Sequence, residues 1–347
     1  MPMITRDLIR RIPKAELHCH LDGSVRPATM LELARDQHVP MPRDDADSLR
    51  DYMRVDDARD LEEYLERFAT TLSVMQQAEA MERIAYELAE DCAKEGVRYL
   101  EVRYAPILNV RAGLTLEQAV EYPLRGLARA EQEYGIVSRV LVCAIRNMPP
   151  TTSLELAWLA VDFKGEGVVG FDLAGGEKGN PASVHAPAFA HCQAHGLSCT
   201  CHAGEGDGAS SIAEAMHVCH AHRIGHGTHL IDDPALLAEA RDRGIAIECC
   251  LTSNVQTRAV RSFDMHPLRE YFDAGLQVSI NTDNRLMSGT DLINEYRHAA
   301  THLGFTFDEL LRLARQGFAN AFLPPGERDA LVRRVDSEFA ALRREFV

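Results

Sequence analysis

The chain has 347 residues, 46% of them hydrophobic, and its 37 Lys plus Arg against 52 Asp plus Glu leave a net charge of −15 at pH 7. An acidic balance of that size argues against nucleic acid and anionic membranes as partners and favours a small-molecule substrate. No apolar run approaches the ~18 residues that span a bilayer, and residues 1–7 carry no apolar signal core, so a cytoplasmic protein is expected.

Eight short β-rich runs are predicted at 15–20, 97–104, 137–145, 168–175, 198–204, 223–227, 245–250 and 277–283. Helical periodicity fills the stretches 116–134, 154–163, 184–195, 212–221, 234–243, 267–274 and 292–303. Strand–helix alternation repeated in this way predicts an α/β protein, a single (β/α)8 TIM-type barrel domain over 1–347. A doubly wound open sheet would carry a Gly-rich phosphate loop after its first strand, and 17–24 is not one.

The connection between the first two runs, 21–96, is longer than one helix and its turns require, so a helical lid insertion is expected over about 28–92. Asp60-Leu61-Glu62-Glu63 resembles a capping box that opens a helix. Leu61, Tyr64, Leu65, Phe68, Leu72 and Met75 then form a 3.6-residue apolar stripe. Such a stripe packs on the barrel wall or roofs a pocket at the barrel mouth. The tail, 305–347, reads as two more helices around Pro324-Pro325-Gly326, with Arg333, Arg334, Arg343 and Arg344 on solvated faces. The nine cysteines fall mostly in apolar runs, as Cys143, Cys199, Cys201, Cys249 and Cys250 do. They form no paired zinc frame and are expected as reduced, buried thiols.

Barrels place their reactive groups at the carboxyl ends of the strands. His18, His20, His202, His226 and Asp283 all fall there. Residues i and i+2 of a strand share a face, so His18 and His20 can both point inward. Three imidazoles and a carboxylate suit Zn²⁺ with one position left for water, whose pKa then drops towards about 7. Glu205, just beyond His202, is placed to move a proton; the plainer reading is a charge ahead of a helix start. His226, between two glycines that leave room for a ligand's close approach, reads as a fourth histidine ligand or as a base and guide for the nucleophile, and spacing does not separate the two. His185, His191, His195, His217, His220 and His222 lie away from strand ends and read as surface or packing residues.

At this point the chain resembles the adenosine deaminases, a branch of the metal-dependent amidohydrolase-type barrels. The likeness runs through Pro13-Lys14-Ala15-Glu16-Leu17-His18-Cys19-His20-Leu21-Asp22-Gly23-Ser24, Gly170-Phe171-Asp172-Leu173-Ala174-Gly175 and His202-Ala203-Gly204-Glu205. It continues through Arg223-Ile224-Gly225-His226-Gly227, Leu251-Thr252-Ser253-Asn254 and Asn281-Thr282-Asp283. The resemblance implies one zinc per chain on His18, His20, His202 and Asp283, with His20 also beside the substrate. Glu205 would protonate the purine N1 and His226 would orient and help deprotonate the water that attacks C6, releasing ammonia. Asp22 would hold the ribose hydroxyls, the Gly175 backbone would meet N3, and Leu61, Tyr64, Leu65 and Phe68 would cover the pocket. The implied activity is deamination of adenosine and 2′-deoxyadenosine in purine salvage. Three positions depart from the family. Asn284 replaces an acid that donates to N7, which its amide can do at any pH; Gly176 stands for an acid and Ala105 for a serine.

Two other readings compete. One is a sibling deaminase of free adenine or another adenine nucleoside, for which the ribose contact of Asp22 would be useless. The other is a zinc-stabilised barrel that binds without turnover and needs neither Glu205 nor His226. A two-metal site would want a lysine at the end of the fourth strand, where the chain reads Asp172-Leu173-Ala174-Gly175 with Lys178 beyond, so one metal is expected.

Overall fold

The computed structural model describes residues 4–56 and 61–346; Asp60, the opening residue of the expected capping box, lies outside the described residues. Eight strands lie in chain order in one parallel array: β1 (Lys14–His20), β2 (Val97–Tyr104), β3 (Val137–Ile145), β4 (Val168–Ala174), β5 (Ser198–Ala203), β6 (Arg223–His226), β7 (Ala246–Cys249) and β8 (Gln277–Ile280). The predicted strands are all present; β2 and β3 agree with their predicted bounds, and the predictions for β4, β5, β6 and β8 run on at their carboxyl ends. Those ends stop where the backbone turns left-handed, at Gly175, Gly204, Gly227 and, just past β8, Asp283.

Helix α1 (Arg6–Arg11) precedes β1, and α2 (Pro27–Asp36), α3 (Ala46–Met53), α4 (Leu61–Leu65), α5 (Phe68–Val74) and α6 (Ala78–Lys94) fill the insertion between β1 and β2. The stripe expected along one helix is split between α4 and α5. Between them the Glu66 and Ala69 amides bond three residues back, to the Glu63 and Glu66 carbonyls, and such tight turns end an α-helix. Outer helices follow the remaining strands: α7 (Leu116–Tyr134), α8 (Pro150–Asp162), α9 (Ala186–Ala194), α10 (Ala209–His217), α11 (Pro234–Asp242), α12 (Leu251–Gln256) and α13 (Leu268–Asp273). After β8 come α14 (Arg285–Ser288), α15 (Leu292–His302), α16 (Phe307–Ala319) and α17 (Pro325–Phe346). All nine cysteines are buried and unpaired.

The barrel closes between its first and last strands. Cys19 and Asp283 form a parallel bridge; the His20 amide donates to the Asp283 carbonyl at 2.8 Å and the Asp283 amide to the His18 carbonyl at 2.9 Å. Lower in the seam, side chains replace backbone pairing. The Leu17 amide donates to Asn281 Oδ1 at 2.9 Å, and the Thr282 amide and hydroxyl donate to the Glu16 carboxyl at 3.1 and 3.0 Å. Helix α16 packs against both β1 and β8 and covers this seam.

Asn281→Leu removes the acceptor of a buried backbone N–H, a loss of about 1–3 kcal/mol. Urea unfolding should show that loss, together with a lower bound-metal content, because the seam carries His18, His20 and Asp283. Unchanged stability would mean that the backbone bonds above it close the barrel unaided.

Candidate metal centre and pocket

Five strand-end side chains meet at one point inside the barrel mouth. His18, His202, His226 and Asp283 are buried and present ligand atoms all within 4.8 Å of one another. His20 joins them, its Nε2 3.2 Å from His202 Nε2 and 3.3 Å from Asp283 Oδ1. The backbone at His226 and Asp283 is left-handed, with φ of 63° and 60°. For residues with a Cβ this is strained and persists where surrounding structure imposes it.

The far side of each ring explains its orientation. His18 Nδ1 donates to Glu248 Oε2 at 2.8 Å, and His202 Nδ1 donates to Asp172 Oδ1 at 3.2 Å. Both carboxylates are fully buried and are held by Arg103, at 3.0 Å from Asp172 and 2.9 Å from Glu248. With Nδ1 protonated in each ring, Nε2 offers a bare lone pair to the cluster. His18 Nε2 is buried without a hydrogen-bond partner among the described residues. Ser253 donates to Asp283 Oδ2 at 2.7 Å, leaving Oδ1 towards His18 at 3.4 Å. Burial, reinforced by the neighbouring imidazoles, holds His20, His202 and His226 neutral, their pKa values below the usual histidine range. Converging lone pairs and a carboxylate, with donors turned outward, are what a borderline cation such as Zn²⁺ requires, so the residues present fit the metal. The Lys178 side chain is exposed, and among the described residues no lysine lines the pocket.

Glu205 lies beside this cluster. Its Oε2 is 3.3 Å from His226 Nε2, and its Oε1 accepts from Thr257 at 2.9 Å. Burial, and then the charge of Asp283, push its carboxyl up to about 8, so it carries a proton at neutral pH. The cluster floors a cavity of about 530 Å³, within the usual range for small-molecule sites. Its walls include Asp22, Gly175 and Asn284, and Leu61, Tyr64, Leu65 and Phe68 form part of its lining. The stripe therefore faces the pocket as well as packing. Asp22 Oδ1 and Asn284 Oδ1 are buried without partners among the described residues, and burial pushes the Asp22 carboxyl up to about 7. Ala105 and Gly176 also line the cavity.

One sequence-based expectation needs correction. The glycines around His226 make room for the barrel itself, not for a ligand. A Cβ on Gly225 would lie 3.0 Å from His18 Cε1, and one on Gly227 2.8 Å from Ile247. His185 is a packing residue, as its place away from the strand ends suggests: it is buried and bonded to Ser153 at 2.8 Å and to the Arg146 carbonyl at 3.2 Å.

Sequence reasoning missed Glu177. Its buried carboxylate accepts backbone N–H bonds from Gly204, Glu205, Gly206 and Asp207, at 2.6, 3.0, 2.7 and 3.3 Å. Four amides on one anion fix the turn that aims Glu205. The signal was an acid placed directly after the Gly175-Gly176 break of the fourth strand. Glu177→Gln weakens these bonds, and hydrogen bonds to a charged group are worth about 1.5–3 kcal/mol. Amide exchange over 204–207 should quicken by roughly 10–100-fold while metal content holds, since His202 sits on β5. Exchange at the native rate would show that the turn needs no clamp.

Comparison with known proteins gives a consistent picture. The family described as adenosine deaminase matches residues 13–338. A probable adenosine deaminase of Dictyostelium discoideum is 42% identical over 93% of this chain, which spans only 42% of that protein's length. An adenosine deaminase of Enterococcus faecalis is 38% identical over 95% of this chain and 98% of its own. Among solved structures, a zinc-bound amidohydrolase from Burkholderia ambifaria superposes with a TM-score of 0.88 at 26% identity, covering 99% of this chain and 96% of that one. An adenine deaminase from Arthrobacter aurescens gives 0.87 at 27% identity, covering 94% and 98%.

Proposed function

The chain belongs to the adenosine deaminase family, and we propose that its substrates are adenosine and 2′-deoxyadenosine, hydrolysed at C6 to inosine or deoxyinosine and ammonia with one zinc ion per chain. It is a hydrolase. The observation that carries the reading is a buried carboxyl, Glu205, set 3.3 Å from His226 at the edge of a histidine–aspartate cluster. Binding alone needs no proton donor there.

In this reading His18, His20, His202 and Asp283 are the ligands. When bound, the ion supplies Lewis acidity and lowers the pKa of water there towards about 7. Glu205 gives its proton to N1 as the nucleophile adds to C6, so negative charge does not build up on the ring. His226 orients the attacking water. Asp22, whose Oδ1 in the pocket wall has no partner among the described residues, accepts from the ribose hydroxyls, while the Gly175 backbone meets N3 and the Asn284 amide donates to N7. Leu61, Tyr64, Leu65 and Phe68 cover the sugar and base and exclude water. A role in purine salvage in the cytoplasm accords with nine unpaired, buried thiols, and no helix among the described residues is long and apolar enough to cross a membrane.

Glu205→Gln should retain zinc and bind adenosine while kcat falls by ~10²–10⁴. An acid must hold its proton to act, so the wild-type rate should fall as pH rises past about 8, and the variant should lack that limb. A near-native rate would take Glu205 out of the mechanism. A substrate panel followed by ultraviolet absorbance tests the substrate itself. Adenosine and 2′-deoxyadenosine should turn over faster than adenine; the reverse order would move the assignment to the free base.

A further inference from the structure

The role of His226 turns on which of its nitrogens carries the proton, and its neighbours decide this. His226 Nδ1 lies 3.0 Å from Asn254 Nδ2. Asn254 Oδ1 lies 3.1 Å from His266 Nε2, and the backbone amide of Leu268 donates to His266 Nδ1 at 3.1 Å. His226, Asn254 and His266 are all buried.

The direction of this chain follows from its last link, because a backbone N–H can only donate. His266 Nδ1 is therefore an acceptor, and its one ring proton sits on Nε2. That proton goes to Asn254 Oδ1, so the Asn254 amide presents its NH2 to His226 Nδ1. His226 Nδ1 must then accept, and its proton sits on Nε2. Turning the Asn254 amide over would ask both His266 nitrogens to accept at once, which only an imidazolate can do. An imidazolium would set its Nδ1–H against the Leu268 N–H, and burial that pushes His266 down to about 3 keeps it neutral.

We infer that Asn254 and His266 are positioning residues: through three consecutive hydrogen bonds anchored on the Leu268 backbone they hold His226 as its Nε2–H tautomer. In that form His226 is a hydrogen-bond donor at the cluster. Nε2, 3.3 Å from Glu205 Oε2, has no lone pair for a cation, and Nδ1 is already engaged. His226 is thereby excluded from the ligands even though its ring stands among them. Its task becomes to donate to the oxygen of the attacking water and fix where the lone pair points. That catalytic consequence rests on the deaminase reading; the tautomer does not.

The test is two-bond ¹H–¹⁵N correlation on zinc-loaded protein with ¹⁵N-labelled histidine, His226 being assigned by loss of its signals in His226→Gln. Native protein should show a protonated Nε2 and a bare Nδ1 at His226. Asn254→Asp is nearly isosteric but can only accept, so His226 should switch to Nδ1–H. His266→Phe frees the amide to turn and should give a mixture of tautomers. In both variants kcat should fall by ~10–100-fold, as for other residues that orient a site's histidines, with KM and zinc content close to native. A native Nδ1–H signal, or an Nε2–H that survives Asn254→Asp, would overturn the inference. If Asn254→Asp does not fold, the native spectrum and His266→Phe still decide it. A correct tautomer in a protein that leaves adenosine untouched would instead refute the deaminase reading and leave the relay standing.

Discussion

Arg103 is the charge on which the centre of this barrel depends. It is fully buried and bridges Asp172 and Glu248, and those carboxylates orient His202 and His18. Glu248 also takes Arg223 at 2.6 Å, and Arg223 pairs with Glu101, which accepts from the Tyr99 hydroxyl and the Phe322 amide as well. Barrel interiors are usually filled by layers of branched aliphatic residues. Here two arginines and three carboxylates, all buried, occupy that space. Removing one member of such a network strands the others without partners, which costs about 3–5 kcal/mol. The layer leaves an excess of negative charge beneath the imidazoles, where it favours a bound cation.

Much of this was open to reading in the amino-acid order, and the boundary between what was and was not has physical causes. Strand-end histidines stand out because imidazole is uncommon in apolar runs, and four such positions together with Asp283 identify one barrel mouth. The supports are harder to see. In β2, Tyr99, Glu101 and Arg103 alternate on one face, which in a strand buried on both sides signals an internal ion pair; the ionic partners of Glu101 and Arg103 lie on β4, β6 and β7, and no spacing rule links them. Glu177 acts through backbone amides, which carry no residue identity. The apolar stripe of the insertion was legible and faces the pocket as one reading required, but its division into α4 and α5 depends on local hydrogen bonding that periodicity does not encode.

The strand ends show a further pattern. His226 and Asp283 keep left-handed backbone at a cost of roughly 1–2 kcal/mol each. At Asp283 the flanking bonds to His18 and His20 impose the conformation; at His226 the following glycine leaves space for Ile247. Turning the backbone sharply at the end of β6 and just past β8 sends the side chain across the mouth instead of along the wall. The strain and the convergence of the side chains are thus one feature of the backbone.

Because the barrel is closed at the cluster itself, the order of synthesis constrains when an ion can be captured. His18 and His20 leave the ribosome early, whereas Asp283 follows after most of the chain; at ~5–20 residues per second the interval is roughly 13–50 s. Through that interval the histidine pair of the first strand is without Asp283, and the cluster of donors is incomplete. Discrimination among metals therefore falls to the closed barrel, after the last strand has docked, when the buried carboxylates fix the geometry that each candidate ion must satisfy.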